Sequence, residues 1–293
     1  MQTYLDCYPC FVRQALAAAR FAGADAATQR SVVRATLELL EDVPADAAPP
    51  RIADDVHRCV RAEIGDGDPY ADLKAQSTRA ALDLYPWLTT LVAEAADPVE
   101  TAVRVAIAGN IIDVGPSDTI ADLRATVERV LAAPLVGDLT ELRTELARAP
   151  WVLYVADNAG ETVFDRVLVE TLRVPVDYAV KGGPTLNDAT RADAEAAGLA
   201  RVARVIDTGY DAPGVDLERS SADFRRSFAS APLVLAKGQA NYESLSEAGD
   251  RVFCLLQVKC PVIGRDLGVE VGSVVVRRAT DPVPATETLV PVG

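Results

Sequence analysis

Trp151-Val152-Leu153-Tyr154-Val155, running into Ala156-Asp157-Asn158-Ala159-Gly160-Glu161, is where the hydrophobic period of this 293-residue chain changes. Five consecutive apolar residues bounded by polar loop residues read as a strand buried on both faces, the signature of a parallel sheet. Similar runs follow at Val174–Val180, Arg204–Ile206, Pro232–Ala236 and Val252–Leu256. Helical spacing fills the intervals, for example Val163 to Leu172 and Leu217 to Phe228. Strand, helix, strand at this spacing implies right-handed crossovers and a doubly wound sheet.

Upstream of Trp151 the pattern is helical to about residue 148. Val32, Val33, Thr36, Leu37 and Leu40 recur at three- and four-residue steps, as do Ile120, Leu123, Val127 and Val130. Val43-Pro44, Pro49-Pro50, Gly65 to Pro69 and Gly115-Pro116 interrupt these helices, and Ser117-Asp118 offers cap chemistry for the helix after it. The expected organisation is α/β: an all-helical domain over residues 1–100, then a Rossmann-like three-layer αβα domain over 101–293 with a largely parallel sheet. A loose Pro/Thr tail is expected after Asp281.

The chain carries 43 acidic and 29 basic side chains, a net charge of −14, which argues against a nucleic-acid partner. No apolar run has the length of a membrane span, and the N-terminus lacks the basic and apolar regions of a signal peptide. A cytoplasmic protein with reduced thiols is the expectation. The single histidine, His57, removes His-rich zinc sites, two-His-one-carboxylate iron sites and His relays unless it serves itself. Its Asp54-Asp55-Val56-His57-Arg58-Cys59 setting reads as an amphipathic helix with a structural or surface histidine.

Ligands of an open parallel sheet bind where the loops leave the carboxyl ends of the strands. The five expected loops are Asp157-Asn-Ala-Gly-Glu161, Lys181-Gly-Gly-Pro-Thr-Leu-Asn-Asp188, Asp207-Thr-Gly209, Lys237-Gly-Gln-Ala-Asn-Tyr-Glu243 and Gln257-Val-Lys-Cys-Pro261. They hold carboxylates, carboxamides, glycines and three of the chain's four lysines, Lys74 being the other. Asp157, Asn158 and Asp188 offer three oxygen ligands to Mg²⁺ or Mn²⁺. The Lys237-Gly238 turn opens a helix whose free N–H groups suit an anion. A hard metal beside an anion cradle is what phosphoryl chemistry requires. Taken one loop at a time, the same residues read more readily as turns and caps; across several successive strand ends that becomes the weaker reading. No GxGxxG follows the first strand, no P-loop occurs, position 159 is Ala where a haloacid-dehalogenase-type phosphatase has a second Asp, and no G-x-S-x-G elbow is present.

These segments together resemble the DUF89 family, also called damage-control phosphatases (ARMT1-like). The likeness rests on Asp157-Asn-x-Gly-Glu161, Gly183-Pro-x-x-Asn-Asp188, Lys237-Gly-Gln-x-Asn-x-Glu243 and Lys259-Cys-Pro261. Cys7-x-x-Cys10-Phe with Gln14, Asp68-Pro-Tyr-x-x-x-Lys74 and Gly109-Asn-x-Ile-Asp113 are also similar, and point to the prokaryotic CxxC-bearing, AF1104-like branch. The resemblance implies a divalent-metal-dependent phosphatase of small phosphorylated metabolites, with Co²⁺ or Ni²⁺ as further candidate ions. It implies Asp157, Asn158 and Asp188 as metal ligands and as catalytic residues together with Lys237. Lys237, Gly238, Gln239 and Asn241 would bind phosphate, with Glu243 nearby; in eukaryotic relatives the Gln239 position is more often Asp. Asn110, Asp113, Glu161 and Asn187 would touch the ligands or the substrate.

Two other classes compete. Relatives of the family also carry the label of an S-adenosylmethionine-dependent carboxyl methyltransferase, which would want a Gly-rich loop after the first strand where only Gly160 stands. A non-catalytic phosphometabolite-binding or redox-sensing protein would use the CxxC. Cys7 and Cys10 have the spacing of a disulfide, a redox pair or half a soft-metal site that Cys260 or Cys254 would complete. Cys59 reads as core.

Overall fold

The computed structural model describes residues 1, 3–44, 47–65, 67–110 and 120–281. Three helices open the chain, α1 (Tyr8–Phe21), α2 (Ala26–Glu41) and α3 (Pro49–Ile64). Asp25 caps α2 by accepting from Thr28 N, and Pro49 begins α3 where a missing N–H has no consequence. Their apolar stripes meet in a cluster of their own, with Phe11, Val32, Ile52, Val56 and Val60 at its centre and Tyr70 at its edge.

Four further helices, α4 (Ala71–Ala93), α5 (Pro98–Gly109), α6 (Ile120–Ala132) and α7 (Leu139–Arg148), pack with the sheet instead. The strands are β1 (Leu135–Val136), β2 (Val152–Val155), β3 (Val176–Val180), β4 (Arg204–Asp207), β5 (Val234–Lys237), β6 (Val252–Gln257) and β7 (Val274–Arg278). Between them run α8 (Glu161–Leu172), α9 (Arg191–Ala196), α10 (Ala222–Ser230), α11 (Gln239–Leu245) and α12 (Pro261–Leu267). The sheet order is β1-β7-β6-β5-β2-β3-β4, with every pairing parallel except β6 with β7.

The two-residue period of the strands divides the core. Val152, Tyr154, Leu235 and Leu255 face α4 to α8, whereas Leu153, Val155, Ala236 and Leu256 face α10 to α12. That is the three-layer, largely parallel α/β architecture the periodicity predicts.

Two strands differ from the sequence reading. β1 interrupts the stretch read as wholly helical, and at two residues is too short to show a period. β7 was not expected; its Val274-Val275-Val276 run ends in Arg277-Arg278 and lies antiparallel to β6. The helix expected from Leu217 begins at Ala222, because Ser221 caps it by accepting from Phe224 N. Gly115-Pro116, Ser117-Asp118 and the tail after Asp281 lie outside the described residues. No described helix is long and apolar enough to cross a membrane.

Topology locates the candidate cleft. From β2 the chain moves outward through β3 to β4, then returns to β5 on the other side of β2. Loops leaving β2 and β5 therefore diverge, and the crevice between their carboxyl ends is the switch point where open α/β sheets bind ligands.

Candidate active site at the strand switch point

Asp157 follows β2 and Gly238 follows β5, and the two meet across this crevice. Gly238 has φ +80°, and a Cβ there would lie 1.9 Å from Asp157 Oδ2. Only glycine allows the backbone to approach the carboxylate so closely. The loops after β2 and β3 are tied by backbone bonds, Ala189 N donating to Asp157 O at 2.7 Å and Ala159 N to Asn187 O at 2.9 Å. Asn158 and Asp188 thereby sit opposite each other as an isolated bridge, so backbone pairing brings all three predicted ligands together.

Carboxamides and carboxylates alternate in a ring behind them. Asn110 Nδ2 donates to Asp157 Oδ2 at 2.7 Å and to Glu161 Oε1 at 2.6 Å. Asn158 Nδ2 donates to the same two oxygens. Each NH₂ has two hydrogens, so both are fully used. The other edge of Asp188 faces a cation: its buried Oδ2 accepts no hydrogen bond among the described residues and lies 3.4 Å from Lys181 Nζ.

Lys237 is placed differently from the expectation of a phosphate contact. It is fully buried, and its ammonium donates to Glu161 Oε2 at 3.0 Å and Asp165 Oδ1 at 2.7 Å. The cation that remains toward solvent is Lys259, which makes no ion pair among the described residues while its charge reaches Asp157 and Glu161. Periodicity could not show which way a strand-end lysine turns. The signal lay in Glu161 and Asp165, whose spacing of four puts two carboxylates on one face of α8.

The electrostatics follow from burial. Desolvation, then the charges of Glu161 and Asp188, hold the Asp157 carboxyl well above the usual carboxylate range. Burial pushes Asp188 up to about 6, with Lys181 pulling the other way. Burial opposes ionisation of Glu161 too, but Lys237, Lys259 and the two carboxamides outweigh it and hold its carboxyl below its ordinary value. Lys237 is likewise desolvated, yet Asp165 and Glu161 keep it protonated. Two carboxyls raised mainly by burial lie side by side here, and a site of that kind gains by taking up a cation.

The donor set fits a hard divalent ion. No three His, Cys, Asp or Glu side chains among the described residues form a metal-holding group. Here two carboxylates are joined by one carboxamide, leaving the remaining positions of an oxygen shell to water or phosphate.

Of the other predicted residues, Gln239 donates to Glu243 Oε1 at 3.2 Å and Cys260 Sγ at 3.5 Å, and accepts from Lys259 N at 3.1 Å. Asn241 is fully buried and donates to Ala156 O and Lys237 O, bracing both loops. Burial raises Glu243 to about 7. Asn187 contributes its carbonyl to the loop pairing, and Asp113 lies outside the described residues. Cys7, Cys10 and Cys260 are free thiols; Gln14 donates to Cys10 Sγ and Gln239 to Cys260 Sγ, and burial raises Cys7 and Cys10. His57 is buried, and burial with the Arg61 charge lowers it to about 4, a neutral core imidazole.

The family model described as the damage-control phosphatase ARMT1-like domain matches residues 3–275. The chain belongs to this family. A protein named damage-control phosphatase from Pyrococcus horikoshii is 35% identical over 288 residues, 95% of this chain and 98% of its own length. Another of that name from Archaeoglobus fulgidus is 34% identical over 237 residues, 77% of this chain and 81% of its own. The crystal structure of a DUF89 protein from Pyrococcus horikoshii superposes with a TM-score of 0.89 at 33% identity, covering 95% of this chain and 99% of that one. In this chain Asp157, Asn158 and Asp188 meet at the switch point, and behind them lie Asp165, Tyr154 and Tyr178, which no motif singled out.

Proposed function

We propose that this protein is a divalent-metal-dependent phosphatase that hydrolyses phosphate monoesters of small metabolites. The observation that carries the reading is the convergence of Asp157, Asn158 and Asp188 at the switch point, with the Asn158 nitrogen locked onto two carboxylates. Its carboxamide oxygen is left for a ligand. Relatives named damage-control phosphatases over most of the chain's length support the reaction class.

Asp157, Asn158 and Asp188 would hold Mg²⁺ or Mn²⁺, with Co²⁺ or Ni²⁺ as alternatives. A bound ion would polarise the phosphate and lower the pKa of a water molecule. The chain's own residues supply the rest. Gly238 lets the loop after β5 come close enough to bracket a phosphate beside Asp157. Lys259 and Lys181 contribute positive charge as negative charge builds on the phosphoryl oxygens. Lys237 acts from below, holding Glu161 in place.

Phosphate release measured over a panel of sugar phosphates and nucleotides with Mg²⁺, Mn²⁺, Co²⁺ and Ni²⁺ tests this. Activity should require a divalent ion and vanish in Asp157→Ala; full activity in that variant would overturn the assignment.

A further inference from the structure

We propose that Asp165, held by the hydroxyls of Tyr154 and Tyr178, is a positioning residue that determines which atom of Asn158 faces the metal. The inference rests on the reading of Asp157, Asn158 and Asp188 as a metal site. It concerns side chains that lie wholly within the core and touch neither metal nor substrate.

A carboxamide presents its oxygen or its nitrogen depending on what lies behind it. Behind Asn158 lie Asp157 Oδ2 and Glu161 Oε1, both acceptors, so Nδ2 turns inward and the oxygen outward. Rotating the amide by half a turn would set its oxygen against two carboxylate oxygens. The orientation therefore depends on Glu161 staying in place, and Glu161 is anchored through its other oxygen by Lys237. Lys237 in turn is held by Asp165 Oδ1 at 2.7 Å. Asp165 is fixed from two strands, Tyr154 donating to Oδ1 and Tyr178 to Oδ2, each at 2.7 Å. The two tyrosines are register partners on β2 and β3, with ring centroids 5.2 Å apart. β2 leads directly into Asp157 and Asn158, and β3 into the loop of Asp188. Asp165 thus ties α8 to both strands that deliver the ligands.

Without the Asp165 charge, Lys237 has only Glu161 as a carboxylate partner and draws it off the two carboxamides. Partners of this kind behind a metal ligand typically change affinity by roughly 10- to 100-fold.

Mn²⁺ binding to the substrate-free, full-length protein, followed by the electron paramagnetic resonance of free Mn²⁺, reads this without recourse to activity. Asp165→Asn and the double variant Tyr154→Phe/Tyr178→Phe should each weaken binding by about 10-fold or more. Tyr242→Phe is the matched control, since that hydroxyl donates to Asp266 at 2.6 Å from the other face of the sheet; it should bind Mn²⁺ within about 2-fold of wild type, well short of that range. The double Phe variant keeps the ring packing and decides the matter if Asp165→Asn does not fold. Unchanged Mn²⁺ affinity in the folded Asp165 and tyrosine variants would overturn the inference, as would an equal loss in Tyr242→Phe. Absence of Mn²⁺ binding in the wild-type protein would instead overturn the metal site itself, and the inference with it.

Discussion

Lys237 Nζ lies 3.0 Å from Glu161 Oε2 and 2.7 Å from Asp165 Oδ1, so the lysine that ends β5 is spent on the protein's own carboxylates. Removing one partner of a buried ion pair leaves an uncompensated charge and costs roughly 3–5 kcal/mol. Lys237→Met should therefore lower stability by about that amount in urea unfolding. Lys259→Ala, at an exposed position, should stay within about 0.5 kcal/mol of wild type while raising KM for a phosphate ester. Equal stability losses in the two variants would contradict the division of roles.

Gly238→Ala places a methyl group 1.9 Å from Asp157 Oδ2 in a backbone conformation with φ +80°. Asp157 has to move, and a displacement near 1 Å at a reacting centre typically costs about 10²-fold in rate. Gly249 also has a positive φ, +106°, but nothing lies within 4 Å of the Cβ it would acquire. Gly249→Ala should thus lose stability and keep its phosphate-release rate, whereas Gly238→Ala loses the rate.

Glu243 is half-buried, and desolvation raises its carboxyl to about 7 from an ordinary value of 4.5. The folded state therefore binds a proton that the unfolded state has released, and stability falls as pH rises between about 4.5 and about 7. Glu243→Gln removes the ionisation. Relative to wild type the variant should gain stability between pH 5 and pH 8, seen as a rising difference in urea midpoints. A pH-independent difference would show that Glu243 does not titrate in this interval.

Burial raises the thiols of Cys7 and Cys10, and pushes that of Cys254 up to about 12. The thiolate is the reactive form. Alkylation at neutral pH, followed by mass spectrometry, should label Cys7 and Cys10 more slowly than a free thiol and leave Cys254 untouched until unfolding.

The loops at Asp157-Asn158 and Asp188 were legible because each follows an apolar run of strand length, which fixes its place at a carboxyl end. Their mutual contact was not, since it depends on Ala189 and Ala159 pairing across loops, which any residue type can do. Lys237 shows the limit most clearly: its position on the strand was readable, its direction was not. The two acidic residues it faces stood four apart on α8 and were not read as its partners. β7 carries three consecutive valines and follows α12 as a parallel crossover strand would, yet it turns back antiparallel to β6, a pairing that neither its composition nor its spacing announces. Asp165 is detectable only through its spacing of four from Glu161, because taken singly a carboxylate on an amphipathic helix is ordinarily a solvated one.

The central claim is that Asp157, Asn158 and Asp188 form one divalent-metal site. Anomalous diffraction from crystals of the protein soaked with Mn²⁺ tests it most directly. The account predicts one peak within about 2.0–2.6 Å of oxygen atoms from all three side chains, as expected for oxygen-bound divalent ions. A peak at Cys7, Cys10 and Cys260, or none at the strand switch point, would contradict it.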